Sequence, residues 1–380
     1  MRIVIAPDSF KGTIDAPDVA RALAAGWASV RPDDEIVLAP MADGGEGTLE
    51  AFEAAVPGSR RMPVTVQGPD SRPVDTYWLL LPGDGAGTAV VELAATSGIT
   101  LLDPLQPLDA HSIGFGEAIA DALDHGVDRL LLAIGGSAST DGGAGALTAL
   151  GARFTDAAGE PIASGGAALA NIADIDLSEL RALPAGGAIV LSDVTNPLLG
   201  DLGAAAVFGP QKGATAEHIS QLDTALAHFA AVTGGDHAAP GAGAAGGAGF
   251  GLLVWGASMG GGARAVAEAI ALPESVAGAE AVITGEGRFD GQSAAGKVPS
   301  EVLRLAEEKG IAAFLAAGGI DRDAVAAADD SGDTDPSAIA GFAASVALVD
   351  LAGGVPAAMD DPARWLHAAG ERLAASFGSR

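Results

Sequence analysis

The first residues of the chain switch between two hydrophobic rhythms. Arg2 to Ala6 is a short apolar run stopped by Pro7 and reads as a strand, and Ala16 to Ser29 reads as a helix with Asp15 suited to cap its first turn. A second strand follows at Glu35 to Ala39. After the polar stretch Met41 to Thr48 comes another helix. Strand, helix, strand, helix predicts a parallel sheet whose working groups lie at the carboxyl ends of its strands.

The texture then changes. Pro63 to Val66 and Val74 to Leu81 flank Gly68 to Pro73, which reads as an antiparallel hairpin, and Val90 and Val91 fit a further strand. Beyond them the pattern predicts a helix near Phe115 to Asp124, strands Arg129 to Ile134 and Ala188 to Leu191, and a helix near Glu217 to Ala231. From Ala281 to Thr284 the alternation of strand and helix returns. Helix Pro299 to Glu308, strands Ala312 to Ala316 and Ser345 to Val349, and a terminal helix from Pro362 complete it. The economical architecture puts residues 1–65 and 279–380 in one discontinuous α/β domain and 66–278 in an inserted mixed α/β domain, with the active site in the cleft between them. The acidic stretch Asp321 to Asp335 reads as a solvated surface segment, and no solenoid repeat is visible.

Composition narrows the function classes. At 380 residues and 49% hydrophobic, with mean hydropathy +0.33, the chain has enough apolar surface for two cores despite a formal net charge of -29. That charge makes nucleic acid and anionic membrane surfaces poor partners. The absence of cysteine removes disulfides and thiolate chemistry and is compatible with the cytosol. The one uncharged stretch, Ala238 to Ala263, is glycine- and alanine-rich and holds Pro240. It reads as a glycine-rich loop and a tightly packed helix rather than a membrane span. The N-terminal apolar run is too short for a signal peptide, and the expectation is a soluble cytoplasmic protein.

The chemistry gathers in glycine-rich loops. Of four lysines, Lys11, Lys212 and Lys297 touch a glycine in a motif-like segment, while Lys309 reads as a cation at a helix end. Six segments join glycine to carboxylate, amide, hydroxyl or lysine groups: Ala6–Gly12, Ala42–Thr48, Ile134–Gly145, Ser192–Pro197, Phe208–Gly213 and Ile283–Gln292, the last with Gly296-Lys297 behind it. Together they point to phosphoryl transfer, which needs amides and lysines on phosphate oxygens, carboxylates for Mg²⁺ and a group to orient the attacking hydroxyl. None is a standard nucleotide fingerprint, since Val298 stands where a P-loop carries Ser or Thr. The six histidines lie outside every motif and read as surface or helix-end residues, and the tryptophans as core filler or domain-interface contacts.

This set resembles the bacterial type I glycerate kinase family, in register from residue 3 to about 305: APDSFKG, DGGEGT, the GGS loop running to DGGAG, SDV-x-NPL, FGPQKGA and ITGEGR-x-DGQ followed by GK. The resemblance implies a flavodoxin-like, Rossmann-like parallel-sheet domain interrupted by a second α/β domain. It further implies an ATP- and Mg²⁺-dependent kinase acting on the 2-hydroxyl of glycerate.

On the residues themselves, Lys11 and Ser9 are expected to contact a substrate or phosphate oxygen, against the alternative of a capped helix start with an exposed lysine. The Gly44 and Gly45 amides are expected to face an anion while Asp43 binds Mg²⁺ or the hydroxyl, against the alternative of a plain turn with Glu46 in the helix's first turn. Gly135, Gly136, Ser137, Ser139, Thr140 and Asp141 form the best phosphate-cradle candidate, with Asp141 equally suited to cap the next helix. Lys212, Lys297 and Arg288 supply positive charge, and Gln211 and Asn196 sit at ligand-like positions. Asp193, at the end of an apolar strand, is the first choice for general base or hydroxyl orienter, with Asp8 and Asp290 as rivals. Glu286 and Asp290 suit Mg²⁺ coordination, or else bond their own turn. Glycerate and ATP are the expected partners of a monomer or homodimer. A non-catalytic clamshell binder of a small anion and a kinase for a related hydroxy acid are the alternatives. A binder has no use for several carboxylates among phosphate-type loops, and a nicotinamide dehydrogenase would want G-x-G-x-x-G where Pro7 to Lys11 stand.

Overall fold

The computed structural model describes residues 1–83, 85–290, 297–321 and 341–377. In chain order its strands are β1 (Arg2–Ile5), β2 (Glu35–Leu38), β3 (Arg60–Gln67), β4 (Pro73–Leu81), β5 (Thr88–Glu92), β6 (Arg129–Ala133) and β7 (Arg153–Thr155). They continue with β8 (Asp174–Asp176), β9 (Ala188–Leu191), β10 (Ser258–Gly260), β11 (Ala281–Phe289), β12 (Ala312–Ile320) and β13 (Ala344–Ala347). The chain divides into two compact units: Met1–Asp43, Glu50–Pro57 and Gly261–Arg380 in the first, Gly44–Leu49 and Gly58–Gly260 in the second. These limits differ from 65 and 279 for physical reasons. Strand β3 pairs with β4 along its whole length and goes with the second unit, whereas helices Gly262–Ala269 and Leu272–Ala277 pack on helix Val298–Lys309 in the first.

The sheet of the first unit runs β13-β12-β11-β1-β2, parallel throughout. Counted within this unit it is the 2-1-3-4-5 order of a flavodoxin-like sheet, as the resemblance implies. Ile3, Val4 and Ile5 are fully buried, as an inner strand of a sheet covered on both faces requires. Helix Ala16–Val30 starts where Asp15 accepts the Asp18 amide at 2.7 Å, and it lies against helix Pro362–Ser376. Gly26 and Gly370 permit that contact, because a Cβ on either would strike the carbonyl of His367 or Leu23 on the other helix.

One motif is not the loop its glycines suggest. Strand β11 runs through Thr284-Gly285-Glu286-Gly287-Arg288 to Phe289, held by β12 along its length, with Arg288 opposite Gly319 and Phe289 opposite Ile320. Helix Val355–Asp360 and the helix Leu348–Ala352 that follows β13 also went unforeseen. Gly291, Gln292, Gly296 and the acidic residues after Asp321 lie outside the described residues.

The second unit carries a mixed sheet, β10-β9-β6-β5-β4-β3, parallel from β10 to β5 and antiparallel beyond. The expected hairpin is present as β3 and β4. Its core includes Trp78, Phe115 and Phe250, with Phe229 meeting Phe154 and Phe250 edge to face at 5.6 Å each. The glycine-rich stretch forms helix Ala244–Trp255, bent at Ala245 to Gly247, where all three φ angles are positive. Among the described residues no helix is long and apolar enough to cross a membrane. Of the histidines, His111 departs from expectation: it is buried, with Nε2 2.9 Å from the Ser71 hydroxyl.

Candidate functional site

In the first unit the sheet changes direction between β1 and β11. Strand β2 lies on one side of β1 and the returning chain on the other, which leaves a crevice at the carboxyl ends. Strand β1 delivers Asp8 there: the Ala6 amide bonds to Ile283 and the Asp8 amide to Gly285, each at 2.8 Å, and Thr284 Oγ1 ties back to the Ala6 carbonyl at 2.9 Å. Strand β2 leads to Asp43, and β11 presents Glu286 and Arg288. These side chains line a cavity of about 850 Å³ together with Ser9, Lys11 and Lys297.

Charge is crowded in this cavity. Lys11 Nζ donates to Asp43 Oδ2 at 2.7 Å, with the lysine side chain 59% exposed. Asp8 is 6% exposed, and its carboxyl is pushed up to about 8, first by burial and then by the negative charge of Asp43. Lys11, the Ser9 amide on Asp8 Oδ1 at 2.7 Å, and Glu286 act in smaller measure, the first two lowering and the last raising. Burial works to lower the Lys11 ammonium, but the carboxylates of Asp43 and Asp8 outweigh it and hold its pKa above the usual lysine value. The Ser9 hydroxyl oxygen is buried with no hydrogen-bond partner among the described residues.

Asp290 is set apart from this group. Its carboxylate stands 3.6 Å from Arg288 Nε and does not line the cavity, so Glu286 joins Asp8 and Asp43 instead. Among the described residues no three His, Cys, Asp or Glu side chains are grouped to hold a metal ion. The crowding that raises Asp8 nevertheless fits a cation shared with a phosphate, the mode in which Mg²⁺ takes one or two carboxylates and completes its shell with water and phosphate oxygens.

The motif residues of the second unit gather at the ends of β6 and β9. Here the glycines press backbone on backbone: a Cβ at Gly44 would strike the Leu191 carbonyl, one at Gly135 would lie 2.5 Å from Gly45 Cα, and the Gly135 amide bonds to the Gly44 carbonyl at 2.9 Å. Gly136 is left-handed, and its carbonyl accepts from Ile99. Glu46 is exposed.

Lys212 is 2% exposed, with Nζ donating to Ser137 Oγ at 2.7 Å and to the Ser139 carbonyl. Burial pushes its pKa down to about 7, opposed by Asp141. Asp141 is turned inward. Its Oδ2 accepts from the Ser112 amide and hydroxyl at 2.8 Å each, and its Oδ1 from the Gly143 amide at 3.1 Å, so it holds two helix starts rather than facing a ligand. The hydroxyls of Ser139 and Thr140 are buried with no hydrogen-bond partner among the described residues. Asp193 is half-buried just past β9; Asn196 spends its Nδ2 on the Leu202 carbonyl at 2.8 Å, and Gln211 is exposed.

Glu92 escaped the sequence reading. It is 4% exposed at the end of β5 and accepts the Leu49 amide at 3.0 Å and the Gly47 amide at 3.4 Å, which fixes the turn before helix Thr48–Ala55. Its signal was available, a carboxylate closing an apolar strand, the same that marked Asp193.

Comparison with known proteins points one way. The sequence profile of the Glycerate kinase family matches residues 3–378. The glycerate kinase of Haemophilus influenzae is 46% identical over 317 residues, 81% of this chain and 83% of its own length. The glycerate 2-kinase of Escherichia coli is 45% identical over 317 residues, 81% of this chain and 82% of its own. A crystal structure assigned to glycerate kinase 2 of Salmonella typhimurium superimposes with a TM-score of 0.82 at 40% identity, covering 99% of this chain and 98% of that one.

Proposed function

The chain belongs to the glycerate kinase family and is a kinase with an alcohol acceptor; from that premise we propose that it moves the terminal phosphoryl group of ATP to the 2-hydroxyl of glycerate, giving 2-phosphoglycerate. The observation that carries this reading is the cavity of the first unit, where Asp8, Lys11, Asp43 and Glu286 stand together at the switch point of a parallel sheet.

Lys11, Arg288 and Lys297 neutralise phosphate and carboxylate oxygens, a need made acute by the formal net charge of -29. Asp43 and Glu286 are the carboxylates offered to Mg²⁺, which when bound screens the phosphate charge. Asp43 also fixes Lys11 through their 2.7 Å contact. Asp8 is the candidate base: a buried carboxyl raised to about 8 binds a proton tightly enough to accept one from a hydroxyl and releases it again slightly above neutral pH, and it lies in the same cavity as the cations. Asp193, beyond β9 in the second unit, is the other carboxylate offered for orienting the hydroxyl. Ser137, held by Lys212, and the Ser139 and Thr140 hydroxyls give that unit a buried polar cluster of its own. The partners are glycerate and ATP rather than nucleic acid, and the acidic, cysteine-free composition suits the cytoplasm.

A coupled assay for ADP with D- or L-glycerate, ATP and Mg²⁺ tests the reading, with product analysis separating 2- from 3-phosphoglycerate. ADP formation dependent on glycerate is expected, and none with any hydroxy acid would overturn it. Asp8→Asn and Asp193→Asn separate the two bases. If Asp8 is the base, its variant loses about 10²–10⁴-fold in kcat, and the wild-type rise of kcat/KM towards pH 8 disappears with it.

A further inference from the structure

The first unit's cavity is far larger than a three-carbon acid requires, and its walls differ in character along the sheet. Its charged side chains come from the ends of β1 and β11 and from the chain after β2. At β12 the lining is Gly318, Gly319 and Ile320, with the Asp321 carboxylate just beyond the strand on the charged side beside Arg288. Beyond β13 it becomes Leu348, Val349, Val355, Ala358 and Met359, carried by helices Leu348–Ala352 and Val355–Asp360, which pack on each other. None of these five side chains carries a charge. From β13 to β1 is three strand spacings, about 14 Å, the reach of an extended nucleoside triphosphate from base to terminal phosphate.

Two details show that this wall is surface made for an occupant. Val355 and Met359 are each 57% exposed where they line the cavity, while Leu348 and Ala358 beside them are buried in the core, so the apolar face offered to an occupant is chiefly Val355 and Met359 on a packed base. At Gly319, midway, a Cβ would meet no atom of the described residues within 4 Å and the backbone φ is not left-handed; among those residues nothing requires glycine there. Glycerate, polar at every carbon, has nothing to lay on an apolar wall. Of the two substrates only the nucleotide carries a flat apolar group.

We propose that the Leu348–Met359 wall of this cavity binds the purine base of the nucleotide, with Gly319 under the ribose and the phosphates directed towards Lys11, Arg288 and Lys297. This makes the first unit the nucleotide-binding one, an assignment that rests on the kinase reading above. The start of helix Val298–Lys309, which has no side-chain cap among the described residues, adds a favourable dipole beside Lys297.

The test is the double variant Val355→Ser/Met359→Ser, with Gly319→Leu as an independent probe that fills the cavity. Both are read by calorimetric binding of ADP and of inorganic tripolyphosphate, and by KM for each substrate. The variants should weaken ADP binding and raise KM for ATP by about tenfold or more, the scale for lost apolar contacts in a pocket. Tripolyphosphate affinity in the double variant and KM for glycerate in both should stay within about threefold on the same scale. Unchanged ADP affinity in both variants, or equal losses for ADP and tripolyphosphate in the double variant, would overturn the base site while leaving the kinase reading intact. Wild-type protein that makes no ADP from ATP and glycerate, yet loses ADP binding in these variants, would keep the nucleotide site and overturn the kinase.

Discussion

Lys11 and Lys212 stand in almost the same sequence setting, each followed by glycine in a short loop, and they end in opposite surroundings. Lys11 keeps its ammonium in an open cavity, braced by one carboxylate. Lys212 is buried, and its ammonium is consumed by a serine hydroxyl and a backbone carbonyl. The glycines divide in the same way: Gly44 and Gly135 exist so that backbones can touch, while a Cβ at Gly319 would meet no atom of the described residues within 4 Å. A glycine-lysine loop is therefore a mark of close quarters, and only the wider fold decides whether a ligand or another stretch of chain fills them.

The contrast can be broken most sharply at Lys11. Lys11→Ala should lower kcat by about 10²–10³-fold, the usual loss for one preorganised charge, with the urea midpoint nearly unmoved because the side chain is largely exposed. A loss below tenfold would place Lys11 outside the chemistry. Gly44→Ala should do the reverse. The new Cβ meets the Leu191 carbonyl at a left-handed φ of 89°, so unfolding titrations should show a loss of at least about 2 kcal/mol. Stability equal to wild type would show that the turn has room.

The smallest effect is a pair of opposed pH slopes. The folded Asp8 carboxyl, near 8, lies above its unfolded value of about 3.9, so the folded chain holds the extra proton between those limits and wild-type stability falls as pH rises through them. The folded Lys212 ammonium, near 7, lies below its unfolded value of about 10.4. The unfolded chain holds the extra proton there, and wild-type stability rises with pH. Asp8→Asn should remove the falling contribution and Lys212→Met the rising one, as read from melting temperatures across pH 4–10 against wild type. Slopes unchanged by either substitution would contradict the burial that sets these values.

Much of this was legible from the chain, for identifiable reasons. The apolar runs at β1, β2 and β9 and the Asp15 cap are local signals, and the structure keeps each within a residue or two. The charged side of the cavity was legible because Asp8, Lys11 and Asp43 follow predicted strands. What escaped depends on distant partners. Strand β11 continues through Gly285 and Gly287 because β12 pairs with it there, whatever glycine prefers alone. Asp141 turns to Ser112, 29 residues away and outside every motif, whereas the contact of Asp290 with Arg288 lies within its own segment. Val355 and Met359 look in sequence like any helix residues; only the cavity they share gives them meaning.

The pairing of β1 with β11, Ile3 opposite Ala281, has a consequence for biosynthesis. A ribosome adding about 5–20 residues per second needs on the order of tens of seconds to supply that neighbour. Residues 58–260, the bulk of the second unit, emerge in full during the wait. Meanwhile the nascent N-terminal strand keeps one hydrogen-bonding edge open, the interval in which a chaperone or slow codons would matter most.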